Sequence, residues 1–466
     1  MIEKCIEKEV VIMSSEARPQ NKMGTAKMLP LILSMALPAM FSMLIQALYN
    51  VVDSYYVAKF SDKALSAVSL AMPVQNLMIA FSVGTAVGVT SLISRRLGEK
   101  RREEAGFAAV HGLILCVLTS AVFAVYGGFF STPFFRLFET DPQIISMGDT
   151  YITICCVFSV GMFVSTMLEK TLQATGNMIW PMIFQLIGAI SNIILDPIFI
   201  FGYFGLPAMG VAGAAVATVA GQWICMFVCI FVTKRGRHEI DITFRGFKFL
   251  GRIVKDIYAV GLPAIVMQGI GTVMNIAMNG ILSGFSTAAY TVFGLYFKLQ
   301  SFVFMPVFGL TQGLLPIMGY NYGARNKHRL LSALRNGSMI ALIIMTAGLL
   351  LFQLAPGWLI GLFNPTPDML SIGIRALRII CICFPLTALG IVSSTMFQAM
   401  GHGTYSLVIS LMRQLVILVP AAWLLARLTK EVTYVWWAFP IAELISLGAS
   451  ISFFMILYRK EIRKMP

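Results

Sequence analysis

Charge is what this chain has least of. Only 12% of its 466 residues are Asp, Glu, Lys or Arg, where a soluble domain carries about a quarter. That scarcity excludes an ordinary soluble globular protein, and 58% hydrophobic residues exclude a disordered one. Histidine is also sparse: His111, His238, His328 and His402 are scattered, and no two share a metal-ligand spacing. The eight cysteines form no framework. Cys116, Cys155, Cys156, Cys225, Cys229, Cys381 and Cys383 lie inside apolar runs, and only Cys5 is in a polar segment. With no zinc-like spacing, they read as small apolar fillers. Low-complexity tracts are missing, and so is a GxxxxGK[ST] loop, which argues against ATP-driven chemistry on this chain.

What the sequence does have is long apolar runs, and its mean hydropathy is +0.81. Twelve stretches can each cross about 30 Å of hydrocarbon as a helix: 29–57, 64–93, 105–128, 147–171, 178–201, 211–233, 252–281, 287–318, 330–353, 370–397, 405–427 and 435–458. They lack the alternation of barrel strands and are far too long for them. The expected fold is an all-α polytopic membrane protein. Basic residues cluster before the first run, after the second (Arg95, Arg96, Lys100, Arg101, Arg102), after the sixth, after the eighth and after the twelfth. The positive-inside rule then places both termini in the cytoplasm of a multi-pass cell-membrane protein. The net charge of +14 reflects this topology and contact with anionic lipid, not nucleic acid.

The chain repeats itself. Leu37-Pro38-Ala39 matches Leu262-Pro263-Ala264, an offset of 263 − 38 = 225. The same offset pairs Asn50 with Asn275, Gly84 with Gly309, Gly98 with Gly323, Pro142 with Pro367, and Gln173-Ala174 with Gln398-Ala399. Six helices per repeat keep both halves in one orientation, so their pseudo-two-fold axis runs along the membrane normal. The expected organisation is a tail at 1–28, an N-lobe at 29–233, a cytoplasmic linker at 234–251, a C-lobe at 252–458 and a tail at 459–466.

Ionisable groups within the bilayer are costly and mark function. Asp53 and Asp196 have no counterparts in the second half, where Met278 and Ala421 stand. Helix direction places Asp53, Asn192, Asp196, Thr218 and Tyr151 in one outer-leaflet layer, with Asn50 one turn from Asp53. Pro197 frees the carbonyl of Ile193. Carboxylates, an amide, a hydroxyl and a carbonyl make a hard-oxygen set, suited to Na⁺ at Asp53, Asn192, Asp196 and Thr218, or to a shared proton. In the second half Lys298, Arg413 and Glu443 lie near mid-membrane, as substrate contacts or as a structural Arg413–Glu443 pair. Glu169 and Lys170 read as interfacial. Abundant Phe and Met permit a deformable cavity that accepts apolar cations.

The segments Gln46-Ala47-Leu48-Tyr49-Asn50-Val51-Val52-Asp53, Asn192-Ile193-Ile194-Leu195-Asp196-Pro197 and Gly213-Ala214-Ala215-Val216-Ala217-Thr218 resemble the multidrug and toxic compound extrusion (MATE) family. The likeness extends over residues 29–458. It implies a secondary antiporter, not an enzyme and without a cofactor, that exports organic cations in exchange for H⁺ or Na⁺ by alternating access and acts as a monomer. It also implies a cation-coupling site at Asp53, Asn192, Asp196 and Thr218, with Tyr151 as the matching tyrosine. The seventh helix has only Asp256, at its cytoplasmic end, which resembles the branch that couples through the first lobe. A lipid-linked oligosaccharide flippase of the same superfamily would need a more cationic cavity, to which Lys298 and Arg413 bear. A membrane-embedded enzyme would need a metal motif or a nucleophile–base pair, and none is found.

Overall fold

The computed structural model describes residues 21–236, 239, 240, 242 and 247–466. Residues 1–20 of the expected tail, with Cys5, and linker residues that include Arg237, His238 and Arg245 lie outside the described set. Among the described residues the spans are helices: α1 Met28–Phe60, α2 Asp62–Gly98, α3 Arg102–Phe129, α5 Ile179–Phe201, α6 Val211–Arg235 and α7 Gly251–Ser283. They continue with α8 Thr287–Gly323, α9 Lys327–Leu354, α10 Pro367–Ala399, α11 Gly403–Thr429 and α12 Val432–Lys464. The fourth span, α4, is broken into Pro142–Val157 and Val160–Ala174, bent by 47°. The architecture is all-α and polytopic, as the hydropathy pattern requires.

The repeat is written into the local chemistry of the helix ends. Ser61 caps α2 by accepting from the amides of Lys63 and Ala64, and Ser286, 225 residues on, caps α8 by accepting from Ala289. Asp141 and Thr366 cap the Pro-started helices α4 and α10 in the same paired way. Left-handed backbone recurs at Gly176 (φ 90°) and Gly401 (φ 92°), a conformation open to Gly because it has no Cβ. Even the irregularities correspond: α4 breaks beside Phe158, and α10 narrows to a 3₁₀ turn at Cys381–Cys383.

The end of the bundle that carries Asn21 and Met465 (the near end) is sealed. Along this seam α2 packs on α7, and α8 packs on both α1 and α2. Close approach depends on glycine. A Cβ on Gly84 would strike Ile265, and one on Gly88 would strike the Ile257 carbonyl and the Gly261 amide of α7. In the second half, Gly309 and Gly313 press against Met40 and Ala36 of α1 in the corresponding way. Met28, Leu31, Ile32, Met35 and Ala36 of α1 therefore join the hydrophobic core of the later spans, while Ile257 of α7 joins the core of the earlier ones.

Polar ties finish the seam. Ser91 Oγ donates to the Gln398 carbonyl at 2.6 Å, and Arg96 of α2 reaches Asp256 of α7 at 3.4 Å. A short strap precedes α1 and spans both halves. Asn21 Nδ2 donates to the Thr175 carbonyl at 3.1 Å, and Met23 is fully buried. From the other half, Asn321 Nδ2 donates to the Met23 carbonyl at 3.0 Å, and Arg329 donates to the Ala26 carbonyl at 2.8 Å.

Candidate functional site

Beyond the seam, the first half holds a buried polar cluster. Asn192 and Asp196 are i and i+4 on α5 and share a face; they are 3% and 0% exposed. Asn192 Nδ2 donates to Asp196 Oδ1 at 3.2 Å and to Thr218 Oγ1 of α6 at 3.3 Å. Asp53 of α1 lies close enough for its charge to act on Asp196. Tyr151 of α4 is buried, lies within electrostatic reach of Asp53, and accepts a hydrogen bond at 2.9 Å from Gln75 Nε2 of α2. The five residues singled out in this half thus converge from α1, α4, α5 and α6.

The cluster is defined by what it lacks. Asp53 Oδ1, Asn192 Oδ1 and Asp196 Oδ2 are all buried, and none has a donor among the described residues. Buried acceptors without partners are rare and costly. Three of them in one cluster are suited to a proton or a small hard cation, whose ligands are oxygens. The donor set therefore fits Na⁺ as cargo as well as H⁺.

Two members escaped sequence reasoning. Tyr49 lies beside Thr218 and near both carboxylates. Its signal was available: it is four residues before Asp53, on the same helical face. Gln75 carried none, because only the fold brings α2 against α4. Asn50, one helical turn from Asp53 on α1, also lines the central cavity.

That cavity lies between the halves and has a volume of ≈ 720 Å³. Tyr296, Phe297, Phe304, Phe308 and Phe439 give it an aromatic wall, and Gln46, Gln268, Gln300, Arg413 and Glu443 give it polar points. Arg413 Nη1 and Glu443 Oε1 meet at 3.4 Å. Arg413 stands on a π-helical stretch of α11, Met412–Leu418, a local widening frequently associated with functional sites. Lys298 is exposed and is not part of this lining, because its position on α8 turns it away from the other half.

The interfacial reading of Glu169 and Lys170 is corrected. They are 7% and 9% exposed, because the face of α4 that carries them packs into the bundle and not toward lipid or water. Glu169 accepts from Gln185 Nε2 at 3.1 Å, and Cys225 Sγ lies 3.7 Å from it. Together with Cys229, these groups bring three potential ligand atoms within 4.8 Å of one another. Linear spacing could not show this cluster, since the carboxylate comes from α4 and the thiols from α6.

Two pseudo-symmetric six-helix halves around a central cavity, with an acceptor-rich cluster buried in one of them, define a multi-pass membrane transporter rather than an enzyme. The chain belongs to the MatE family, whose model matches residues 38–198 and 263–424. It is 25% identical over 429 residues to the "Probable multidrug resistance protein YoeA" of Bacillus subtilis, covering 91% of this chain and 93% of that one. It is 25% identical over 410 residues to the "Multidrug export protein MepA" of Staphylococcus haemolyticus, covering 88% and 89%. Among solved structures, an outward-facing multidrug resistance MATE family transporter of the MOP superfamily superposes with TM-score 0.90 at 25% identity, covering 97% of this chain and 100% of that one.

Proposed function

We propose that the protein exports cationic amphiphilic drugs across the cell membrane in exchange for H⁺ or Na⁺, with the near end facing the cytoplasm. The observation that carries this reading is the trio of unpartnered buried acceptors at Asp53, Asn192 and Asp196. A site short of donors binds a cation and gives it up when the surrounding helices move. The basic residues at the near end support its cytoplasmic placement by the positive-inside rule. The sealed seam and the cavity beyond it correspond to an outward-facing state, so alternating access requires the seam to part.

The test is dye efflux in proteoliposomes under separately imposed Na⁺ and pH gradients. Asp53→Asn and Asp196→Asn each replace an acceptor oxygen with a donor, and each is expected to abolish gradient-driven efflux while leaving insertion intact. Asn192→Ala removes a neutral oxygen and should be milder. Efflux at the wild-type rate by either Asp variant, at equal membrane level, would rule out this cluster as the coupling site.

A further inference from the structure

The inner end of the central cavity has a charge character that cation export does not explain. There a smaller compartment of ≈ 220 Å³ is lined by Lys170, Gln173, Gln312, Gln398 and Arg413, with no acidic side chain. It sits on the pseudo-two-fold axis, since Gln173 and Gln398 are 225 residues apart. Lys170, however, faces a threonine, Thr395, at its own repeat position. The basic group thus belongs to one half only.

Lys170 is 9% exposed. Its Nζ donates to Gln173 Oε1 at 2.9 Å and Gln312 Oε1 at 2.7 Å, both neutral amides. Its sequence neighbour Glu169 is engaged instead with Gln185 and Cys225. An ammonium has three N–H donors, and the third has no partner among the described residues. Arg413 is held by Glu443 through a single 3.4 Å contact, which leaves most of its five donors for other acceptors. Lys170 thus lines this inner end, the Arg413–Glu443 pair stands where it opens into the larger cavity, and the aromatic rings lie beyond that pair. Glu169 acts on Lys170 through space but accepts none of its hydrogen bonds, so an incoming oxyanion would supply a charge-assisted acceptor that the buried ammonium lacks.

We infer that this inner end is a subsite for an anionic oxygen group of the substrate, with Lys170 as its principal donor and Arg413 beside it. The chamber then prefers amphiphiles that carry a carboxylate in addition to a flat cationic body. The inference deepens the export reading and rests on it.

Rhodamine 110, a free carboxylic acid, and rhodamine 123, its methyl ester, share one xanthylium body and differ only at the group in question. In proteoliposomes driven by an imposed ion gradient, the wild type is expected to show a KM for the acid about tenfold below that for the ester. Lys170→Met should bring the two KM values to near equality, and Lys170→Arg should retain most of the preference. Equal KM values in the wild type would overturn the subsite, as would an acid preference that survives Lys170→Met. Equal loss of both dyes in Lys170→Met and Lys170→Arg would make Lys170 a structural pin and also overturn it. If the wild type transports neither dye, the export reading itself falls, and the subsite falls with it.

Discussion

Gly88→Ala is the smallest change that should tilt the transporter from one state to another. In the sealed form the added methyl would meet the Ile257 carbonyl and the Gly261 amide of α7. Both are backbone, so neither can swing aside as a side chain would. Overpacking of this kind costs about 1–3 kcal/mol. The cost applies only while the seam is shut, because a parted seam leaves the methyl in open space. A mid-range value of about 2 kcal/mol raises the population with a parted seam roughly thirtyfold while the sealed form still predominates. Overall stability should fall by only about 1 kcal/mol, since Ala is favoured over Gly within a helix by about 1 kcal/mol in both states and so offsets half of the overpacking cost.

The reporter is Ser91→Cys in an otherwise cysteine-free chain. Ser91 is fully buried at the seam, hydrogen-bonded to the Gln398 carbonyl. A membrane-impermeant maleimide applied from the near side should label it about thirtyfold faster in the Gly88→Ala background. Gly269→Ala, on α7 but with nothing within 4 Å of an added Cβ, should leave the rate unchanged. Equal labelling with and without Gly88→Ala would refute the reasoning, as would an equal acceleration by Gly269→Ala.

Three further outcomes are expected. Glu443→Gln leaves Arg413 without its charge partner and should lower the melting temperature in detergent; a cost of about 1–3 kcal/mol is appropriate because the pair borders the cavity instead of being fully enclosed. Asp141 accepts from Lys63, at 2.8 Å, and from the Gln143 amide, and both interactions hold its carboxyl below the usual range. A depressed carboxyl contributes stability above its unfolded pKa and loses it as pH falls through the folded one. Asp141→Asn should therefore melt below the wild type at neutral pH and converge with it in strong acid. Finally, if Asp53 and Asp196 load two protons together, export of a monovalent cation moves net charge, and voltage adds about 2.3 kcal/mol per 100 mV. Dye flux should then respond to a valinomycin-clamped potential at zero ion gradient; an unresponsive flux would point to one-for-one exchange.

The spans, the duplication and the polar layer were legible because each depends on a one-dimensional signal. Hydropathy needs only a run of residues, and the 225-residue offset needs only identity, as at Pro38 and Pro263. Asp53 and Asp196 stood out because hydrocarbon makes a carboxylate expensive wherever it is. Lys170 and Glu169 were misread because depth along a helix does not say which face packs against the other helices, and theirs packs into the bundle. Lys298 was overvalued for the same reason: depth does not say which way a side chain faces. Tyr49 and Gln75 show the remaining limit, since a neutral hydroxyl or amide gains meaning only from what another helix brings to it.

The glycine seam bears on turnover. Surfaces that interlock through long side chains must unthread them, re-solvate them and later re-order each rotamer when they meet again. Gly84, Gly88, Gly309 and Gly313 themselves put only backbone across the boundary, and most of what they meet there is backbone too, with the Ile265 and Met40 side chains beside it. At these positions the faces can part without unthreading long side chains, while Met35, Ile257 and the Ser91 and Arg96 ties must release and re-form. Little conformational entropy is lost at each closure, so the step repeated in every export cycle is inexpensive in ordering. Such a joint suits a machine that opens and shuts often and holds its substrate only briefly.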